Sequence, residues 1–289
     1  MSEFKLDKEV VRKLSKVISK GLQKGLGHAK PGSMCLEAAV CYVSGEAHGD
    51  QPKCVHPFVR DILINLNDQK WSSTKSRAKG LMHVAIAQLG TSVEYDQAKS
   101  FNQHKFRLRL SDLLARQVLP NQLRKLSTIT DRSVVAKEID LNDVLMTVRE
   151  SIATNFSAYS VMSTTSYITT LTRRIDGLTG VAFATEANVS HTLVSVCHQF
   201  ATLVQDIVAF SSSLTSDLVA TGAFGTICGS LIFIDRYIAE MHQYLDQIYK
   251  VKTKKKKIEA DSMLREIVDA VLAALVDAQA PGVQFLPCI

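Results

Sequence analysis

Three of the six cysteines, Cys35, Cys41 and Cys54, fall between Gly32 and Pro57 together with Glu37, His48, Asp50 and His56. Nowhere else in the chain do reactive side chains crowd so closely. The chemistry such a set suggests is thiol attack. A helix that begins at Ser33 or Met34 puts Cys35 in its first turn. Unpaired N–H groups and the positive end of the helix dipole favour a thiolate there. Glu37 lies in the same turn, and its charge opposes that shift. A loop from Gly45 to His56 can fold back on the helix before it. His56 or His48 would then take the thiol proton, and Asp50 would orient the imidazole. A metal reading draws on Cys35, Cys41, Cys54 and His56. Structural zinc wants a close-spaced pair on each side. Cys54-x-His56 is close, but six residues around a helix is about 600°, so Cys35 and Cys41 point in different directions. No metal is expected. The plainer reading of M-C-L-E-A-A-V-C-Y-V is a core helix, since cysteine is among the most buried residue types. Packing outweighs catalysis for Cys35.

Anion binding is the second chemistry on offer. His104, Lys105, Arg107 and Arg109 alternate along the chain, with Phe101 and Phe106 among them. Lys252 and Lys254 to Lys257 form a lysine tract, in which Lys254 and Lys255 are expected to contact the ligand, with His48, Lys105, Arg107 and Arg109. The first thirty residues hold another basic cluster, and the net charge is +6. Such clusters attract nucleic acid, nucleotides or acidic partners; the bland alternative is a solvated face. Gly222, Gly225 and Gly229, near a helix start, would cradle phosphate or let helices approach closely. His191 and His198 share a helical face but lack a carboxylate at matching spacing. No phosphate loop, dinucleotide fingerprint, H-E-x-x-H or G-x-S-x-G occurs, so no cofactor is expected.

The elements that must position these residues read as helices. Val10, Val11, Leu14, Val17, Ile18 and Leu22 share one face, with Lys and Arg on the other, so a helix is expected over roughly Asp7 to Leu26. A second ends at Gly45, a good C-cap residue. Pro57 suits the first turn of a third. Ser72 or Ser73 caps a fourth that ends at Gly90. Glu94 to Leu119 reads as helix, although F-R-L-R-L alternates like a strand, and Pro120 should break it. Another helix is expected from Val134 or Leu141 to Ala153. The Ser/Thr-rich region 154–230 contains a helix-periodic set around Val194 to Ile207. Ile227, Leu231, Ile234, Ile238, Met241 and Leu245 mark a long helix, and Met263 to Leu275 a last one. The apolar tail should pack on the body. With no βαβ alternation, the fold class is all-α, a bundle-like multi-helix body. It is expected as one domain over 1–289, with an N-terminal core to residue 130 and a helical half after it.

Six cysteines without framework spacing, and a charged amphipathic N-terminus, point to free thiols and a cytoplasmic location. Leu218 to Ile234, the most apolar run, carries three glycines and polar Thr221, Thr226 and Ser230, so no membrane helix is expected.

Gly32-Ser33-Met34-Cys35-Leu36-Glu37-Ala38, Tyr42-Val43-Ser44-Gly45-Glu46, Asp50-x-Pro52-x-Cys54, Pro57 and Leu66-Asn67-Asp68 resemble a family of uncharacterised bacterial and phage-type proteins. Its members carry an M-C-x-x-E-A-x-A-Y-x-A-G-E…D-x-P-x-C-x-x-P…N-D signature. Ala87 to Thr91 looks like the family's following segment, and the likeness covers roughly residues 30 to 120. It implies the limits of a site and an association with bacteria or phages, and supplies no reaction. Val55-His56 stand where the family has a further cysteine, which weakens a metal site built there. The leading expectation is a non-enzymatic binding protein of phage origin that engages an anionic small molecule such as a nucleotide signal, a nucleic acid or a host protein. A cysteine-dependent hydrolase or transferase, and a structural protein assembling as a homo-oligomer, are the alternatives.

Overall fold

The computed structural model of the chain describes residues 5–92, 101–130, 196, 199–200, 202–207, 209–211, 216–248 and 261–288. The protein is all-α: 74% of the described residues are helical and none lies in a strand. Backbone packing divides it into two units, residues 1–110 with 260–289, and residues 111–259.

The first unit begins with α1 (Lys8–Ile18). Asp7 caps it, its Oδ1 accepting the N–H groups of Glu9 at 2.9 Å and Val10 at 3.0 Å. Val11, Leu14, Val17 and Ile18 are buried. The helix stops at Ile18, short of the expected Leu26. Gly21 takes the chain off the helical path with a φ of +121°, and Gly27 shapes the loop that follows. The φ of Gly27, +68°, is left-handed, and a Cβ there would lie 2.2 Å from the Ser33 carbonyl oxygen. Residues 23 to 35 instead fold into a narrow loop, with Gln23 N–H bonded to Met34 O and Cys35 N–H to Leu26 O.

α2 (Leu36–Ser44) follows and ends at left-handed Gly45, as its sequence suggests. α3 (Pro57–Asp68) starts at Pro57. α4 (Thr74–Ala87) is capped by Ser73, whose hydroxyl accepts the Ser76 N–H at 3.0 Å. α4 is the hub of this unit, touching α1, α2, α3, the last helix and the tail. That position explains why Val84, Ala85, Ile86 and Ala87 are all buried in succession. The last helix, α8 (Ser262–Asp277), leads into a 3-10 turn at Pro281–Cys288 that lies against α4. The tail thus packs on the body. Asp261 fastens α8 to the start of α4, accepting the Ser72 N–H at 2.8 Å, the Ser72 hydroxyl at 2.6 Å and the Ser76 hydroxyl. Despite partial burial, these donors hold its carboxyl below the usual range.

Helix α5 (Gln103–Leu113) contains F-R-L-R-L, which is therefore helix and not strand. The chain then widens into a π-turn at Leu114–Val118 and continues as α6 (Leu119–Thr130). Pro120 does not break the path. It falls in the first turn of α6, where a missing N–H costs little, and the π-turn resets the register just before it.

In the second unit, Lys125 Nζ of α6 meets Asp235 of α7 (Asp217–Ile248) at 2.6 Å. Phe224, Ile227, Cys228, Leu231, Ile234, Ile238, Met241 and Leu245 are buried, in agreement with the spacing of the expected face. Phe210 packs on Phe224 with ring centroids 5.8 Å apart. Asp217–Gln247 is long and apolar enough to cross a membrane, a test that the core helix of a soluble protein also passes; 44% of its most apolar window is buried. The helix expected near Val134 to Ala153 lies outside the described residues.

Candidate functional site

The structure places Cys35 before α2 and not within its first turn. It is the N-cap residue, and its sulfur accepts the Ala38 N–H at 3.3 Å. Only 4% of it is exposed. Burial pushes its thiol up to about 11, and the charges of Glu37 and Asp50 add to the rise. A nucleophilic cysteine needs the opposite shift. Cys41 and Cys54 are buried as well, each pushed up to about 12 chiefly by burial.

His56 caps α3. Its ring Nδ1 accepts the Phe58 N–H at 3.2 Å, its own N–H donates to Thr91 Oγ1 at 2.9 Å, and its ring lies 5.9 Å from Phe101. Taking a proton at Nδ1 would cost the cap. His48 is exposed, and its Nε2 meets the Gly27 carbonyl at 3.2 Å. Asp50 is half-buried in the same loop. The Cys35 sulfur is thus bonded to a backbone amide and not to an imidazole. Among the described residues, no group of three His, Cys, Asp or Glu side chains is placed to hold a metal ion.

The remaining signature residues form an internal brace. Asn67 Oδ1 accepts the Leu36 N–H at 3.3 Å, at the start of α2. Asn67 Nδ2 donates to Gln23 O at 2.9 Å and Asp68 Oδ1 at 2.8 Å. Asp68 Oδ1 also accepts the Gly25 N–H at 2.8 Å. Asn67 thus joins α3, the narrow loop and the unpaired end of α2. Glu37 is wholly buried on α2, and Gln88 Nε2 donates to its two oxygens at 3.1 and 3.3 Å. Burial pushes its carboxyl up to about 8 against the pull of Gln88 and Arg60. No spacing rule links Glu37 to Gln88, or Asn67 to Leu36, because each pair meets only through the fold.

The basic patch on α5 does not stand as one face. Residues two apart on a helix lie about 200° apart, so alternating cations point to opposite sides. Lys105 is exposed. Arg107 turns inward, its guanidinium 5.8 Å from the centre of the Phe58 ring. Arg109 is ion-paired with Asp277 at 2.5 Å. Lys254, Lys255, His191 and His198 lie outside the described residues. Gly222 and Gly229 sit inside α7 and not at its start, so their amides belong to the helix ladder. A Cβ on either would meet nothing within 4 Å, so neither marks a close helix contact.

The cations that the sequence reading did not single out as a site lie on α1. Lys8, Arg12, Lys13 and Lys16 are exposed on its outer side, and Lys20 is exposed just beyond it. Their spacing places the four helical cations within about 140° of arc, opposite the buried face. None of them is in an ion pair among the described residues. Glu9 is the one acid of α1 on that side. Lys75 Nζ donates to Ser19 O at 2.9 Å and adds a further cation at the helix end. The Lys13 ammonium stands 5.9 Å from the centre of the Tyr42 ring. The signal was present in the sequence as four-residue steps from Lys8 to Arg12 to Lys16 to Lys20. Neither a protein-family model nor a curated protein nor a solved structure matches the chain, so the likeness over residues 30 to 120 rests on its quoted motif alone.

Proposed function

We propose that this chain is a non-enzymatic binding protein that holds a polyanion, a nucleic acid, on the outer face of α1. One observation carries the reading: five exposed cations in and just after α1 have no ion pair among the described residues. Several cations elsewhere are matched, as in Arg109–Asp277, Arg116–Asp112, Lys125–Asp235 and Arg236–Glu240. The first thirty residues hold eight Lys and Arg against three Asp and Glu, which accounts for most of the net +6. A one-sided cationic helix of this kind concentrates phosphate through counterion release. Against an enzyme built on Cys35 stands a buried thiol with a raised pKa.

The test is fluorescence anisotropy of a labelled mixed-sequence oligonucleotide across a salt series. Neutralising four or five phosphates of a single strand gives a log–log salt slope of about −3. Replacing Arg12, Lys13 and Lys16 together by Glu should reduce affinity at least tenfold. No binding at low salt, or equal binding by the triple variant, overturns the reading.

A further inference from the structure

We infer that the occupant of the α1 face is single-stranded nucleic acid, with phosphates along α1 and one unpaired base stacked on Tyr42; this rests on the polyanion reading above. Tyr42 is the anomaly of α2. Leu36 to Cys41 and Val43 are buried, yet Tyr42 is 43% exposed. An exposed phenol ring presents an apolar, polarisable face to solvent. Its ring neighbour is Lys13, whose ammonium lies 5.9 Å from the ring centre. α1 and α2 pack directly together, so the ring stands beside the cationic face of the same unit. That pairing of cation and aromatic surface is what an unpaired nucleotide needs, one for its phosphate and one for its base.

Geometry favours a single strand over a duplex. Lys8, Arg12 and Lys16 follow one another at about 6 Å of helix rise, comparable with the separation of successive phosphates along an extended strand. In a duplex the bases are stacked on each other, and a lone tyrosine has no base face to reach. In a single strand every base has one to offer, so stacking tolerates any sequence. Charge complementarity chooses the strand's backbone, and the ring chooses unpaired bases over other polyanions such as heparin.

The experiment compares three probes on the full chain: a single-stranded oligonucleotide, the same sequence as duplex, and heparin. The wild-type chain should bind the single strand more tightly than the duplex. Tyr42→Ala should lower the ratio of single-strand to heparin affinity about tenfold, the usual scale for one stacked base. Tyr42→Trp should preserve the ratio, and emission from the introduced indole should be quenched by the oligonucleotide and not by heparin. The single Trp of the natural chain, Trp71, is buried and supplies the unquenched reference. Equal affinity for single strand and duplex, a ratio unchanged by Tyr42→Ala, or an unquenched indole overturns this inference while heparin binding leaves the polyanion reading standing. Failure of all three probes to bind overturns both.

Discussion

The outer face of α1 and the stretch from Gly32 to Pro57 make opposite use of polar residues. The stretch holds the residue types of a catalytic centre, and the interior occupies nearly all of them. Cys35 caps α2, His56 caps α3, and Glu37 is buried against Gln88. α1 has the composition of an ordinary amphipathic helix. Its lysines and arginine nevertheless face outward with no ion pair among the described residues. The difference teaches that residue type alone does not mark a site. A polar group can act on a ligand only where the fold has left its bonding capacity open.

The sharpest way to break this contrast is through pH and Glu37. Its folded-state value is raised from 4.5 to about 8 by burial. The unfolded chain therefore ionises first as pH rises, and stability should fall between those values. The full shift corresponds to about 5 kcal/mol as an upper limit. Urea midpoints should decline over this window, and Glu37→Gln should flatten the profile. A profile that is flat in the wild-type chain would mean that Glu37 is not held as the structure shows.

Asn67 gives a somewhat smaller effect on the same side of the comparison. Asn67→Ala removes three hydrogen bonds and leaves the buried Leu36 N–H without this acceptor. A loss of roughly 2–4 kcal/mol is expected in denaturant unfolding. Oligonucleotide affinity per folded molecule should stay the same, because Asn67 lies in the brace and not on the α1 face.

The triple replacement of Arg12, Lys13 and Lys16 by Glu should show the reverse pattern. Affinity falls at least tenfold, while each exposed change moves stability by no more than about 0.5 kcal/mol. An unfolded triple variant would erase the distinction between the two regions. The smallest expected signal comes from Cys35. With its thiol pushed up to about 11, iodoacetamide should alkylate it slowly at neutral pH, with a rate that climbs only toward strongly alkaline solution. Rapid neutral alkylation at Cys35 would restore the thiol chemistry.

Much of the helical frame was legible because local rules decide it. Gly45, Pro57 and Ser73 sit at helix ends as their types suggest. The buried side of α7 follows the 3.6-residue period. Two misreadings have local causes of their own. α1 ends at Ile18 because Gly21 takes a φ of +121° just after it, and the chain then closes a loop through Gly27 and Met34, a pairing that periodicity cannot register. Pro120 continues a helical path because a π-turn precedes it.

The candidate site was less legible, for a physical reason. The sequence by itself determined which residues are polar, where helices run and which side of each helix is apolar, since these depend on neighbours within a few positions. Only the tertiary structure decided that Arg107 turns inward to Phe58 while Lys105 stays in solvent, that Arg109 meets Asp277, and that Asn67 reaches Leu36. Those outcomes depend on partners brought close by packing, and packing sets whether a charge or a thiol remains available to anything outside the fold.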